Sequence, residues 1–292
     1  MSNTSQKTLL VTGANGKLGR HVVNLLLDSQ KDHIIAASRN TAKLADLVAR
    51  GAEARYADFD DAASLSTAFA GVDRLLMIST DALGAGQRLS QHLIAIEAAK
   101  AAGVKEIVYT SMPKPDTSAV SFAPDHFGTE QAIIASGLSY TILRDSWYQE
   151  NLFMSLPSAF ASGTLYTSAG EGRQNYIAHA DVARAAAAAL SKPSVNDILT
   201  LTGPELLTTK EIAELAAKIV GKPLAVVDVS DAQLADGMKA HGVPDAAVPM
   251  LVSFDANTRL GGFDILTDSV ETLTGRKPQG LSSFFEANKT AF

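Results

Sequence analysis

The sequence predicts an α/β protein built on a doubly wound parallel sheet, with a smaller α+β lid toward the C-terminus. Three observations carry this. Short runs of β-formers alternate with helical stretches of ordinary length from Thr8 to Leu143. The first such pair is joined by a glycine turn, with Gly13, Gly16 and Gly19 in G-x-x-G-x-x-G spacing. Beyond Asp145 the regular rhythm is lost. Strand–helix–strand units of this kind cross over right-handedly and make a parallel sheet. Ligands then sit outside the carboxyl ends of the strands, near the point where strand order reverses.

The elements follow in order. Thr8 to Thr12 is a short apolar strand. Lys17 to Leu27 is a helix with Leu18, Val22, Leu25 and Leu26 on one face. His33 to Ser38 is the second strand, and Thr41 is the expected cap of a helix running to Arg50 and stopped by Gly51. Ala54 to Ala57 is the third strand, Asp61 to Phe69 a helix closed by Gly71, and Asp73 to Ser79 the fourth strand. Gln87 to Ala102 is a long helix, ended by Gly103. Glu106 to Thr110, a helix over Pro124 to Ser136, and Ser139 to Leu143 complete six strands.

A first domain over 1–150 and a smaller substrate or lid domain over 151–292 are expected, with parts such as 181–202 returning to the main sheet. In the second part Asn151 to Phe160 reads as a helix, and Gly163 to Ser168 and Asn175 to Ile177 as short β-pieces. The Ala-rich helix over Asp181 to Leu190 suggests close packing, and Ile198 to Thr202 a strand on the same sheet. Thr208 and Glu211 have capping-box spacing at the head of an amphipathic helix ending at Val220. Ala225 to Val229 is a strand, and short helices fill the rest.

Composition removes whole classes of function. A chain of 292 residues with 46% hydrophobic and 19% charged content is folded and buries a real core. The formal charge of −6, with no basic cluster against it, argues against a nucleic-acid partner. With no cysteine there is no disulfide, thiolate nucleophile or cysteine-ligated metal. Met1 to Gln6 is polar and no run spans a bilayer, so a cytoplasmic protein without a membrane partner is expected.

A glycine turn between a strand and a helix is the context that makes a dinucleotide fingerprint credible. Gly13 supplies the tight turn, Gly16 leaves room for a pyrophosphate against the main chain, and Gly19 lets helix and strand approach. The free N–H groups at the helix start face the phosphates, so Gly13, Asn15, Gly16, Lys17, Leu18 and Gly19 are the expected cradle. After the second strand stands Arg39, where many such folds carry an acid for the ribose 2′-OH. A cation there favours a 2′-phosphate, hence NADP. Asp58, with Phe59, could flank the adenine, or be a solvated strand end.

Ile78, Ser79 and Thr80 end the fourth strand beside the expected nicotinamide ribose, and Ser111 ends the fifth. Tyr109 reads as core packing, alternating with Val108, and His92 as a weak candidate for the pocket. Short-chain reductases carry Tyr-x-x-x-Lys in the next helix, tyrosine as acid and lysine lowering its pKa. Here that place holds His126-Phe127-Gly128-Thr129-Glu130. His126 could be a weak donor oriented by Glu130, the two could ligate a metal, or they could be a surface pair. With no third ligand evident no metal is expected, and the usual acid reads as lost. That limits the chemistry. Ketone reduction makes an alkoxide that needs a positioned acid, whereas a quinone gives a phenolate-like anion of pKa roughly 10, which solvent protonates. Asp145, Trp147 and Tyr148 follow the sixth strand, where an acceptor would lie against the nicotinamide. Trp147 reads equally as an aromatic platform for a flat ring or as a seal between domains. Arg173, Asn175, His179 and Asp181 are candidates to close a lid.

Taken together, VTGANGKLG, ASRN, GVDRLLMIST, AAKAAGVKEIVYTS, DHFGTE, SYTILRDSWYQEN and GVPD resemble the NmrA-like branch of the atypical short-chain dehydrogenase/reductases. The likeness is greatest to type-2 NADPH-dependent quinone oxidoreductases, with triphenylmethane-dye reductases nearby. The resemblance implies an NADP-binding Rossmann fold, hydride transfer to a quinone, flavin or dye, and cofactor contacts from the glycine turn, Arg39 and the ends of the fourth and sixth strands. It leaves a homodimer open. One departure stands out: position 145, where the family pattern leads one to expect Asn beside the nicotinamide, is Asp. The alternative is a non-catalytic NADP-binding redox sensor, which the missing acid fits equally.

Overall fold

A computed structural model describes residues 6–82 and 84–292, so the opening stretch read for a leader lies, up to residue 5, outside the described residues. The first half runs β1 (Thr8–Val11), α1 (Lys17–Ser29), β2 (His33–Ser38), α2 (Ala45–Ala49), β3 (Glu53–Tyr56), α3 (Ala62–Phe69), β4 (Arg74–Met77), α4 (Gln87–Ala101), β5 (Glu106–Ser111), α5 (Ala123–Ala135) and β6 (Ser139–Asp145). The second half runs β7 (Trp147–Tyr148), α6 (Leu156–Ser162), β8 (Thr164–Thr167), β9 (Arg173–Ile177), α7 (His179–Ser191), β10 (Asp197–Leu201), β11 (Leu206–Thr208), α8 (Thr209–Val220), β12 (Ala225–Asp228), α9 (Asp231–Ala240), α10 (Val248–Arg259), α11 (Ser269–Thr274) and α12 (Leu281–Ala287).

Seven parallel strands form the main sheet in the order β10-β6-β5-β4-β1-β2-β3. The order reverses between β1 and β4, which places the binding crevice at their carboxyl ends. Because successive strand residues face opposite sides, each strand feeds two cores. Leu76 of β4 and Val108 of β5 join Val22, Val23 and Leu26 of α1 and Val182 and Ala186 of α7 on one side. Leu75, Met77, Ile107 and Tyr109 join Leu65 and Phe69 of α3, Ile96 of α4 and Ile133 of α5 on the other. Burying both faces is what a parallel sheet requires. The alanine run of α7 lies within the α1 side of that core, where small side chains admit close backbone approach. The rest of the second half makes a three-stranded sheet, β11-β9-β7, and a two-stranded one, β12-β8. Their core gathers Leu152, Phe160, Ile212, Phe284 and Phe285.

Local signals act where expected at several ends. Asp61, read as the first residue of its helix, is the cap of α3, accepting from the N–H groups of Ala63 and Ser64. Thr208 and Glu211 close a full capping box on α8. Other expectations need correction. Thr41 caps nothing: Thr41–Leu44 is a 3-10 turn that precedes the short α2. The helix expected over Asn151 to Phe160 is a 3-10 stretch, Gln149–Met154, and only from Leu156 an α-helix, with Pro157 in its first turn. Pro lacks an N–H and suits that first turn, so the chain restarts there. α7 begins at His179 rather than Asp181. β7 and β11 had no expectation; two and three residues are too few to show a period.

Candidate active site

The glycine turn is held from three sides. Gly13 sits at φ +60°, where a side chain would be strained, and the Gly16 N–H donates to its carbonyl at 2.8 Å. A Cβ on Gly19 would stand 2.4 Å from the Gly13 carbonyl oxygen, so only glycine permits this contact. Ala14 N–H donates to Ala37 O at 3.0 Å, tying the turn to β2. Thr12, unremarked in the sequence, bridges the switch point: its hydroxyl donates to Leu76 O at 3.2 Å and accepts from Ile78 N–H at 2.9 Å. Gly16 has no side chain to cap α1, so the first-turn N–H groups are left for an anion. Arg39, at the end of β2, is exposed and makes no ion pair among the described residues. Asp58 is half-buried and turned into its own loop, accepting from Asp60 N–H at 3.1 Å and from the Tyr56 hydroxyl at 3.5 Å. The Ala14–Ala37 bond thus sets the glycine turn beside the end of β2, where Arg39 stands.

Ser79 N–H donates to the Thr110 hydroxyl at 2.9 Å, and Thr80 N–H to His92 Nε2 at 3.1 Å. His92 is fully buried, and its Nδ1 lies 2.9 Å from the Thr129 hydroxyl. The accepting Nε2 assigns the proton to Nδ1. Burial first, then the Arg88 charge, lowers its pKa to about 3. His92 is therefore a neutral prop under Thr80, not a group facing a pocket.

His126 is not a surface residue, and Glu130 does not orient it. His126 is 5% exposed, with Nδ1 2.8 Å from the Tyr109 hydroxyl and Nε2 3.2 Å from an Arg88 guanidinium nitrogen. Burial and the Arg88 charge hold it neutral, its pKa well below the usual value. Arg88, missed in the sequence because an arginine on a helix reads as solvated, is itself buried. It donates to the carbonyls of Thr80 and Ala82 and stacks over Phe122 at 4.4 Å. Glu130, wholly buried, instead takes a bidentate pair from Arg144 at 2.9 and 2.6 Å and the Ser111 hydroxyl at 2.6 Å. Tyr109 is in the core, as read, but its hydroxyl belongs to this polar network, and burial raises its pKa strongly. Both members of the His126–Glu130 pair are therefore spent on structure. No cluster of three or more metal-ligating side chains exists among the described residues.

Beyond β6 the chain turns back. Asp145 is 7% exposed, and its Oδ2 accepts from the Tyr148 hydroxyl at 3.0 Å. Burial raises the Asp145 pKa to about 8, against the opposing effect of that bond. Burial, then the neighbouring carboxyl, pushes the Tyr148 phenol well above its ordinary value. Trp147 lies on Phe254 of α10, ring centroids 3.7 Å apart, and so joins the strand ends to the second half. Asn175 is no lid contact: it is fully buried and clamps the Gly203 backbone on both sides. Asp181 is likewise buried, bound to Arg184 and to Gln279 N–H. Glu150, not singled out in the sequence, holds the His179 N–H at 3.1 Å.

A cradle for a dinucleotide at the switch point of a seven-stranded parallel sheet defines the class, a Rossmann protein that binds NAD(P)H. The chain belongs to the NAD(P)H-binding family, whose model matches residues 13–193. Within it, the chain is 38% identical to Quinone oxidoreductase 2 of Escherichia coli over 91% of this chain and 92% of that one. It is 29% identical to NAD(P)H azoreductase of Xenophilus azovorans, over 97% and 99%. The crystal structure of the NADPH-dependent quinone oxidoreductase of E. coli complexed with NADPH superposes with a TM-score of 0.90 at 36% identity, over 96% of this chain and 99% of that one. Triphenylmethane reductase of Citrobacter sp. complexed with NADP(H) superposes at 0.89 with 31% identity, over 97% and 100%.

Proposed function

We propose that this protein is an NADPH-dependent oxidoreductase that reduces a quinone or a similar planar acceptor. One observation carries the reading: a glycine turn suited to a pyrophosphate stands at the switch point, while the place of the usual acid is filled by His126 and Glu130, each held in hydrogen bonds of its own. When bound, NADPH supplies the hydride. Gly13 to Gly19 hold its pyrophosphate, Arg39 its 2′-phosphate, and the loop that takes up the Asp58 carboxylate lies toward the adenine end. Ile78, Ser79, Thr80 and Ser111 line the ribose and nicotinamide side, with Asp145 and Tyr148 at the far strand end. Trp147 offers a flat surface where 1–150 meets 151–292, the smaller part acting as the lid. Solvent protonates the reduced acceptor. Among the described residues no helix is long and apolar enough to cross a membrane. A cytoplasmic setting and a homodimer belong to the same proposal.

The test is NADPH oxidation with quinones, flavins, triphenylmethane dyes and aliphatic ketones in parallel. Turnover of planar acceptors but not of ketones is expected. Binding of NADPH with no turnover of any acceptor would favour the sensor reading instead.

A further inference from the structure

Asp145 is a buried carboxyl group at the end of β6. Its two oxygens are not equivalent. Oδ2 takes the Tyr148 hydroxyl at 3.0 Å, while Oδ1 is buried with no partner among the described residues. The groups facing it are few. β5 brings Ser111 beside Arg144, and β10 brings Leu201 beside Asp145. Arg144 itself, next in the chain, points to the opposite face of the sheet and binds Glu130 of α5. From β7 comes Tyr148, and against it from α7 the ring of His179 at 4.3 Å. Behind His179 stand Glu150 and, from α1, Lys17 and His21. None of these cations touches Asp145. The carboxyl group therefore sits dry, without a countercharge, and burial holds its proton at neutral pH.

A protonated carboxyl group has the shape and hydrogen-bond pattern of an asparagine amide: one oxygen accepts from Tyr148, the other donates. Asp145 also closes β6, on the β4-β5-β6 side of the switch point. In a doubly wound sheet that half receives the nicotinamide, the other half the adenosine. The two redox forms of the cofactor differ there by one charge, since the oxidised ring is a cation and the reduced ring is neutral.

We propose that Asp145 is a proton-linked discriminator of cofactor redox state: it keeps its proton when NADPH binds and gives it up when NADP+ binds. The inference rests on the glycine turn being the cofactor site. Linkage makes the effect reciprocal. If the cationic ring favours the ionised carboxyl group, the ionised carboxyl group favours NADP+. A shift of one pKa unit corresponds to a tenfold difference in affinity between the two protonation states.

The experiment is calorimetric titration of the full chain with NADPH and with NADP+, from pH 6.5 to 9.5, in buffers of different ionisation enthalpy. For the wild type, NADP+ binding should release a large fraction of one proton near pH 7.5, and NADPH binding none. The ratio of NADPH to NADP+ affinity should fall about tenfold or more between pH 7 and 9. In Asp145→Asn the ratio should be flat and the extra proton absent. Infrared difference spectra of the cofactor-free wild type add a readout that needs no variant: a carboxylic-acid carbonyl band at pH 7 that titrates away near pH 8. Equal proton release in wild type and Asp145→Asn, or no such band, would overturn the proposal with cofactor binding intact. No binding of either nucleotide would instead remove the site on which it rests.

Discussion

Gly19→Ala sets two effects of opposite sign against each other. Position 19 lies in the first turn of α1, where alanine gains over glycine at most the ~0.5–1 kcal/mol of a helix interior. On propensity alone the variant should be more stable. The structure predicts the reverse. The new methyl would stand 2.4 Å from the Gly13 carbonyl oxygen, 2.8 Å from its carbon and 3.0 Å from Ala14 Cα, all backbone atoms that cannot rotate away. Relief requires α1 to back off β1 by roughly an ångström, an overpacking cost of about 1–3 kcal/mol. The net expectation is a loss of up to about 2.5 kcal/mol, read from urea unfolding with an unchanged m-value. The same displacement carries the first-turn N–H groups away from a bound pyrophosphate. Each charge-assisted bond is worth about 1.5–3 kcal/mol, so NADPH affinity should fall at least tenfold. A variant stabilised by the full propensity gain, with NADPH affinity intact, would refute the close approach and the cradle together.

Arg39→Ala should weaken NADPH about tenfold or more and leave NADH nearly unchanged, measured by fluorescence titration, because only the 2′-phosphate contact is lost. Glu130→Ala leaves Arg144 without its carboxylate and the Ser111 hydroxyl without its acceptor. The cost should approach, from below, the ~3–5 kcal/mol of a broken buried pair, since the Arg144 side chain keeps 22% exposure. A urea-midpoint change equivalent to under about 1 kcal/mol would contradict that burial. His92 titrates lower in the fold than in the unfolded chain, so the unfolded chain takes the proton first. Stability therefore falls as pH drops below about 6.5, by up to ~1.4 kcal/mol per pH unit from this residue, down to the folded value near 3. His92→Asn should flatten the stability profile between pH 6 and 4 by that slope relative to wild type.

What could be read in the sequence follows from range. Each strand and helix of the main sheet announces itself through a local period or a stop glycine, which is why β1 to β6 lie within a residue or two of expectation. The glycine turn is equally local. What lay hidden is made by partners far apart in the chain. His126 and Glu130 do share a helix face, as their spacing implied, but spacing could not tell that Tyr109 and Arg88 would claim one and Arg144 and Ser111 the other. Nor could it show that Asn175 binds backbone across a gap of 28 residues. The Asp145–Tyr148 bond spans three residues, yet it forms because the chain bends from one sheet into another, and no periodic pattern encodes such a bend.

The partner of a phenol decides what it can do as an acid. In a Tyr-x-x-x-Lys site the ammonium stabilises the phenolate and brings its pKa down toward neutrality. This chain places two phenols near the relevant strand ends, and neither has such a partner. Tyr109 is wholly buried against neutral histidines, and Tyr148 donates to a carboxyl group. Both are driven up, Tyr148 by burial and then by Asp145 itself, so each is a weaker acid than tyrosine in water. A reduced acceptor that holds its charge as a stable phenolate-like anion tolerates this, and an alkoxide does not. Burial, with no cation in contact to offset it, also raises the Asp145 pKa to about 8. At the Asp145–Tyr148 end of β6 the lack of a tethered acid and the raised carboxyl pKa therefore have one physical origin, burial with no cation in contact.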